Sequence, residues 1–302
     1  MALTINTNIS SLVAQNNLAK ATTSLNKAIE RMTTGYKINH AGDNAAGYSI
    51  ARNWETQLGS LDVAADNAAT GADMMSTLED HYSLISSHLQ RVRDLTEQAA
   101  NGTYGEDSLK AIRSEITARL EEVDRIASNC EFNGRKMMLG SGAGAITSDI
   151  YLQVGLYSGE DSRIKLDSSL FSSAKISGLF TSAICGDDYA DVDAVATACT
   201  GYDENGAATS DVPSAMLTKI DNVIKEISNR TTTLGAAQNR IESAIESIGV
   251  QAENITSSLS TLRDADIASE SSKYIQAQIL QQAAATLLST ANQTPSIALN
   301  LL

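Results

Sequence analysis

The segment after Pro213 carries the most regular pattern of apolar positions in the chain. An apolar residue recurs at every seventh position, while the positions four residues further on are about half polar. This is a heptad pattern with one strictly apolar side. Its apolar positions are Ile220, Ile227, Leu234, Ile241, Ile248, Ile255 and Leu262. Because no proline interrupts residues 214–294, the pattern predicts a long helix that needs other helices to cover it.

Two upstream segments supply candidate partners for that helix. Apolar and small residues alternate by four and three between Trp54 and Thr96, with one change of phase at Met75. The pair Asn101-Gly102 suits a helix end, since both residues tolerate the left-handed conformation. A further amphipathic helix is predicted from Leu109, Ile112, Ile116, Leu120, Val123 and Ile126. These stripes predict a helical bundle.

The two ends of the chain are amphipathic and nearly uncharged. No charged residue precedes Lys20, and none follows Lys273. Ordering each residue costs about 1–2 kcal/mol, and an isolated pair of such helices buries little. We therefore expect both ends to be poorly ordered in the free chain and to fold when another copy covers them. The predicted packing residues are Ile5, Ile9, Leu12, Leu18, Leu25, Ile279, Leu287 and Leu288.

The middle of the chain has a different pattern. Apolar residues alternate in 150–154 and again in 164–166 around a turn, which predicts a β-hairpin. From about Phe171 to Asp211 the sequence is rich in Ser, Gly, Asp and Ala, and we expect a small surface insertion there. Deleting about 175–210 is then expected to leave assembly intact.

Composition narrows the class of protein. Only 4% of the residues are aromatic, which disfavours a conventional pair of globular cores. The net charge of −14 makes nucleic acid an unsuitable partner. No stretch approaches the roughly 20 apolar residues of a membrane span, and the start of the chain does not have the pattern of an ordinary secretory signal. Composition alone therefore favours the cytoplasm.

Candidate chemistry is sparse. His81 and His88 are seven residues apart, whereas helical metal pairs sit four apart. Acidic clusters such as Asp187-Asp188 do not have the glycine and terminal glutamate of a calcium loop, and no motif of a catalytic triad or phosphate loop occurs. The sequence predicts a structural protein with no enzymatic activity, metal or cofactor.

The three cysteines do not form a disulfide framework. Cys185 and Cys199 lie in the predicted insertion, where a disulfide could form outside the cell and would add about 3 kcal/mol of local stability. The alternative is that both are free thiols that act as small apolar side chains. Cys130 is predicted to pack as a small apolar residue.

Many short motifs in order make the chain resemble bacterial flagellins over both flanks, about 165 N-terminal and 90 C-terminal residues. The N-terminal motifs are Ile5-Asn-Thr-Asn8, Gln15-Asn-Asn-Leu18, Ala28-Ile-Glu-Arg-Met-Thr-Thr-Gly-Tyr-Lys-Ile-Asn39, Asp43-Asn-Ala-Ala-Gly47, Leu89-Gln-Arg-Val-Arg-Asp-Leu95 and Phe132-Asn-Gly134. The C-terminal motifs are Asp264-Ala-Asp266, Ala277-Gln-Ile-Leu-Gln-Gln-Ala283 and Ala291-Asn-Gln293.

The resemblance implies a mainly α fold with a nested architecture. Residues 1–42 and 266–302 would form an antiparallel coiled coil that lines the inner tube of a filament. Residues 43–170 and 212–265 would form a helical core domain with the β-hairpin, and 171–211 the exposed variable insertion.

The resemblance also implies a function and a set of partners. The chain would be exported through the flagellar secretion channel and polymerise outside the cell for motility, which overrides the compositional guess of cytoplasm. Its partners would be other copies of itself, an export chaperone at the C-terminal segment, and the cap and hook-junction proteins. A flagellin-sensing Toll-like receptor would contact Arg91, Leu95 and Glu115. The alternatives are a hook–filament junction protein of the same architecture and, less well supported, a secreted enzyme on a helical stalk.

Overall fold

The computed structural model describes residues 8–187, 189–203 and 213–299, with side chains as far as Gln293. The long helices are α1 (Ile9–Thr34), α2 (Ala45–Ala99), α3 (Glu106–Asn129), α7 (Pro213–Arg263) and α8 (Ile267–Leu299). Three short helices lie between α3 and α7: α4 (Ile176–Leu179), α5 (Ser182–Cys185) and α6 (Val192–Thr200). Two antiparallel hairpins pair β1 (Glu131–Phe132) with β2 (Arg135–Lys136) and β3 (Ile150–Gln153) with β4 (Arg163–Leu166). The predicted mainly α fold is confirmed.

The chain divides into two compact units. Unit 1 comprises residues 1–59 and 251–302, and unit 2 comprises residues 60–250. The predicted three-part division into 1–42 with 266–302, 43–170 with 212–265, and 171–211 is a functional one and stays a prediction.

The core of unit 2 is built from the three apolar stripes that the sequence predicts. The α7 positions Ile220, Ile227, Leu234 and Ile241 are almost completely buried. In α2 the buried stripe includes Leu61, Ala68, Met75, Leu78, Tyr82, Ile85, Leu89 and Val92. The six predicted apolar positions of α3 are all buried. Helices with long apolar stripes are stable only when other helices cover those stripes, so tertiary packing holds all three.

The predicted β-hairpin is present as β3 and β4. Ile150 pairs with Leu166 and Gln153 with Arg163 in an antiparallel register. The hairpin approaches α2 closely at Gly71, where a Cβ atom would lie 2.4 Å from Cδ1 of Leu152. A glycine therefore leaves room for the Leu152 side chain, which would have to shift if residue 71 carried a Cβ atom.

The segment predicted as a surface insertion differs from that expectation over its described part. Phe171, Ile176, Phe180 and Cys199 are 0% exposed and belong to the core of unit 2. Phe180 also packs edge-to-face against Tyr189, with ring centroids 6.3 Å apart. The segment is rich in Ser and Gly, so its few apolar residues form no visible pattern in the sequence. The short helices α4 to α6 place these apolar residues in the core of unit 2. We correct the expectation accordingly: this segment completes the core, and it cannot be removed without exposing apolar surface.

In unit 1 the break between α1 and α2 lies beside the break between α7 and α8. Gly35 ends α1 with a φ of 75°, a conformation that favours glycine. The amide of Ala265 donates to the carbonyl of Gly35 at 2.8 Å, and the amide of Lys37 donates to the carbonyl of Arg263 at 2.7 Å. The Arg263 guanidinium also lies over the Tyr36 ring, 4.1 Å from its centroid. These contacts let α1 and α8 leave their breaks together as an antiparallel pair.

Candidate functional site

The antiparallel pair of α1 and α8 is the strongest candidate for a functional surface. Its two helices meet along a seam with alternating steps of four and three residues, whose most buried members are alanines. Those alanines are Ala14, Ala21 and Ala28 in α1 and Ala277 and Ala284 in α8. Alanine side chains let two helices approach closely but bury little area. The pair therefore gains little stability from its own seam.

The larger apolar side chains of both helices face outward. Ile9 is 69% exposed, Leu12 60%, Ile279 59% and Leu287 62%. Of the other predicted packing residues, Leu18, Leu25 and Leu288 flank the seam half-buried, while Ile5 lies outside the described residues. The sequence analysis missed further exposed apolar side chains on these two helices, among them Val13, Ile29 and Leu280. The sequence contains a signal for these residues. Once the alanines are assigned to the seam, any large apolar residue on another side of α1 or α8 is expected to be exposed.

Shallow grooves run between the two helices. One has a volume of about 340 Å³ and is lined by small residues such as Ala14, Ala21 and Ala284, with Leu287 at its edge. Small side chains leave such recesses because they do not fill the space between the helix backbones. A groove of this kind can accept the larger apolar side chains of another helix.

Charge is divided unequally between the two units. Unit 1 contains seven acidic and seven basic residues, so its net charge is zero. The whole net charge of −14 therefore belongs to unit 2. Unit 1 can thus be packed among copies of itself without net repulsion, whereas unit 2 repels its copies and favours contact with water.

Two comparisons with known proteins bear on this arrangement. The profile of the bacterial flagellin N-terminal helical region matches residues 5–143, and that of the C-terminal helical region matches residues 217–302. Flagellin of Bacillus subtilis (strain 168) is 32% identical over 306 residues, covering 99% of each chain. The flagellar filament 33 kDa core protein of Treponema phagedenis is 31% identical over 305 residues, again covering 99% of each.

The chain belongs to the bacterial flagellin family. A solved structure from Vibrio parahaemolyticus, named as a flagellar hook-associated protein, has a TM-score of 0.59 at 15% identity. The match covers 74% of this chain and 100% of that one. This likeness shows the fold alone, so family membership rests on the sequence matches.

The second candidate surface of this flagellin lies in unit 2 on α2 and α3. Arg91 Nη2 lies 2.9 Å from Glu115 Oε1, and both side chains are partly exposed. Leu95 is only 2% exposed and packs in the core. The structure therefore brings Arg91 and Glu115 together at the surface, whereas Leu95 supports α2 from below. A receptor can reach the first two side chains directly but not the third.

The three cysteines are free and buried in the structure. Burial raises the pKa of the Cys130 and Cys199 thiols to about 12 and that of Cys185 to about 11. The Cys185 thiol points to the carbonyls of Leu179 and Lys219 at 3.7 and 3.8 Å. A disulfide with Cys199 would require both thiols to leave their present surroundings; it is untested and stays a prediction.

The described residues offer little for other chemistry. No group of three or more His, Cys, Asp and Glu side chains within 8–187, 189–203 and 213–293 could hold a metal ion. Over the same part of the chain, no helix combines the length and apolarity that a membrane span requires.

Proposed function

We propose that this flagellin is the repeating subunit of a helical flagellar filament, in which α1 and α8 are covered by neighbouring copies. The outer apolar surface of these two helices carries the proposal. Ile9, Leu12, Ile279 and Leu287 are each more than half exposed in a unit of zero net charge. Several large apolar side chains that stay exposed on the same pair of helices mark that pair as an interaction site.

A second copy fits this surface better than an unrelated partner. The small-residue grooves between α1 and α8 and the large side chains beside them are complementary in size, and both belong to the same chain. Contacts between different surfaces of identical copies do not have to close into a ring, and they then generate an open helical polymer. The acidic unit 2 suits the water-facing part of such a polymer.

The proposed filament gives each part of the chain a place. Residues 1–42 and 266–302 line the inner tube, 43–170 and 212–265 form the surrounding helical domain, and 171–211 lies furthest out. The chain is exported through the flagellar channel with the help of a chaperone at its C-terminal segment. It then assembles under the cap, beyond the hook-junction proteins, and serves motility as a structural subunit without catalytic activity.

Seeded polymerisation tests this function. Purified chain is added to short pieces of the filament, and their length is followed by electron microscopy. A filament subunit elongates the pieces into long filaments, a hook–filament junction protein adds only a few subunits, and an unrelated protein adds none. Either of the last two results would overturn the proposal.

Point variants connect the result to the surface. Leu287→Gln is expected to slow elongation, because it places a polar amide in an apolar contact. Leu287→Met keeps the apolar character and is the matched control. Since Leu287 is 62% exposed, neither variant is expected to unfold the chain. Equal elongation by both variants would exclude this surface from assembly.

A further inference from the structure

The seam between α1 and α8 does not select its own register by apolar packing. Its alanines recur every seven residues on both helices. If one helix slides by seven residues, which is about 10 Å, alanines again meet alanines. A uniform seam of this kind leaves register weakly specified, as it does in coiled coils without a polar position.

Polar contacts between the helices break this uniformity. Arg31 Nη1 lies 3.4 Å from Glu270 Oε1, and Glu270 is buried with a side chain only 6% exposed. The Gln281 amide donates to Oγ1 of Thr22 at 3.1 Å. Near the other end of the seam, the Ser11 hydroxyl donates to the Asn292 side chain at 2.7 Å. None of these pairs repeats with the seven-residue period.

The slipped registers would be poor for the charged pair. Sliding α8 by seven residues in one direction places Arg31 beside Ala277, and sliding it in the other direction places Glu270 beside Ser24. Both leave Glu270 buried without its arginine. Arg31 is itself constrained, since its Nε is buried without a hydrogen-bond partner among the described residues. Glu270 then keeps only Lys273 of its own helix. Because a buried charge that loses a partner is destabilised, each slip carries a penalty that the alanines do not impose.

We propose that the Arg31–Glu270 pair maintains, along α1 and α8, the register that the backbone hydrogen bonds of Gly35 and Arg263 set at the breaks, and thereby defines the surface that a second copy recognises. This inference rests on the proposed function, because register matters there: it decides which exposed side chain of α1 lies next to which on α8. The groove between the helices is lined by residues of both, such as Ala21 of α1 and Leu287 of α8, so it keeps its shape only while the two helices keep their relative height. A slipped pair presents the same residues in a different arrangement that does not fit a neighbouring copy.

Disulfide trapping reads the register directly. Ser11→Cys with Asn292→Cys reports the observed register. Ser11→Cys with Ala285→Cys reports a slip of one heptad in one direction, and Leu18→Cys with Asn292→Cys reports a slip of one heptad in the other. The native thiols do not compete, because burial raises the pKa of each and keeps it unreactive. Crosslinks within one chain are separated from crosslinks between chains by gel mobility. Each pair is measured in filaments, where neighbouring copies are expected to cover and order both helices.

The variants are Glu270→Ala, the double charge exchange Arg31→Glu with Glu270→Arg, and Lys273→Ala as a control. Lys273 Nζ lies 2.7 Å from Glu270 Oε1 on the same helix, so its removal deletes an ion pair of Glu270 without touching the contact between helices. We expect Glu270→Ala to lower the yield of the observed-register crosslink, to raise that of a slipped crosslink, and to slow elongation by about tenfold or more. The charge exchange is expected to restore both crosslink yields and the elongation rate, and Lys273→Ala is expected to leave them unchanged.

Two results would overturn the inference. The first is that Glu270→Ala gives the observed-register crosslink in unchanged yield. The second is that Glu270→Ala loses this crosslink without gaining a slipped crosslink, which would mean that the pair only holds the helices together. Failure of the unaltered chain to elongate filaments would instead contradict the proposed function. The two failures are distinguishable, because the function is judged from elongation by the unaltered chain and the register from the crosslinks of the variants.

Discussion

Arg91 on α2 and Glu115 on α3 are joined by an ion pair, with Nε of Arg91 also donating to Oε1 of Glu115 at 3.0 Å. Both groups are partly exposed, so the pair contributes little to stability, about 0–1 kcal/mol. The two side chains are therefore free to serve recognition by another protein without endangering the fold. Leu95, one turn further along α2, has the opposite character, because it is buried.

Receptor recognition can be separated from stability at these positions. We propose that soluble chain activates cells carrying a flagellin-sensing Toll-like receptor and that Arg91→Ala weakens the response while changing the free energy of unfolding by less than about 1 kcal/mol. Leu95→Ala is a poor probe, since truncating a buried leucine costs about 2–5 kcal/mol. A reporter-cell assay with thermal melts checks both points. Silence of the unaltered chain would end the receptor proposal.

The terminal helices are expected to be dispensable for the fold of unit 2 but not for assembly. Removing residues 1–30 or 275–302 deletes one partner of the α1–α8 pair and half of the outer apolar surface. We expect seeded elongation to stop while circular dichroism still shows a cooperative helical melt from unit 2. Normal filaments from either truncated chain would contradict our interpretation of the ends.

The segment around α4 to α6 is expected to behave as core. Phe180→Ala removes a fully buried ring and should lower the free energy of unfolding by about 3–5 kcal/mol. Tyr157→Ala, which removes an aromatic side chain that is 69% exposed, should stay within about 0.5 kcal/mol of the unaltered chain. Chemical denaturation measures both. A small effect of Phe180→Ala would restore the expectation of a removable insertion.

The three buried thiols are expected to react slowly in the folded chain. At pH 8 we expect Cys185 to react with an alkylating reagent about a hundredfold more slowly than in denatured chain, and Cys130 and Cys199 about a thousandfold more slowly, because a raised pKa lowers the thiolate fraction. The raised pKa also predicts how stability depends on pH. Burial favours the protonated Cys130 thiol, so its contribution to folding stability is fully present below the ordinary pKa of 9.0 and is lost as pH rises towards about 12. Non-reduced digests analysed by mass spectrometry would show a Cys185–Cys199 disulfide if exported chain contains one.

Asp43 is expected to set an acid limit for unit 1. The Lys27 ammonium, 2.6 Å away, together with the backbone amides of His40 and Asn39, lowers the pKa of this carboxyl from 3.8 to about 2. The depressed pKa means that the stabilisation is present above pH 4 and is lost as pH falls through about 2. Filaments of Asp43→Asn should therefore melt at a lower temperature than unaltered filaments at pH 6, and this difference should shrink towards pH 2. A difference that does not vary with pH would assign the effect to something other than ionisation.

The sequence by itself determined the kind of fold and the family. The heptads of Ile220 to Ile248, the stripe of α3 and the alternation around β3 and β4 are local patterns, and each is preserved in the structure because burial of one side is the only way to stabilise such a segment. The uncharged chain ends were equally visible, since charge is a property of composition.

Only the tertiary structure decided which apolar residues face inward. The sequence predicts both Leu12 and Leu18 as packing residues, yet Leu12 is exposed while Leu18 flanks an alanine seam. Hydrophobicity reports that a side chain avoids water, but not whether its own chain or a second copy removes it from water. Likewise Phe180 is isolated among polar residues and Gly71 lies inside a long helix, so their roles appear only when α4 and Leu152 are brought against them. Such contacts join residues far apart in the chain, and no local period encodes them.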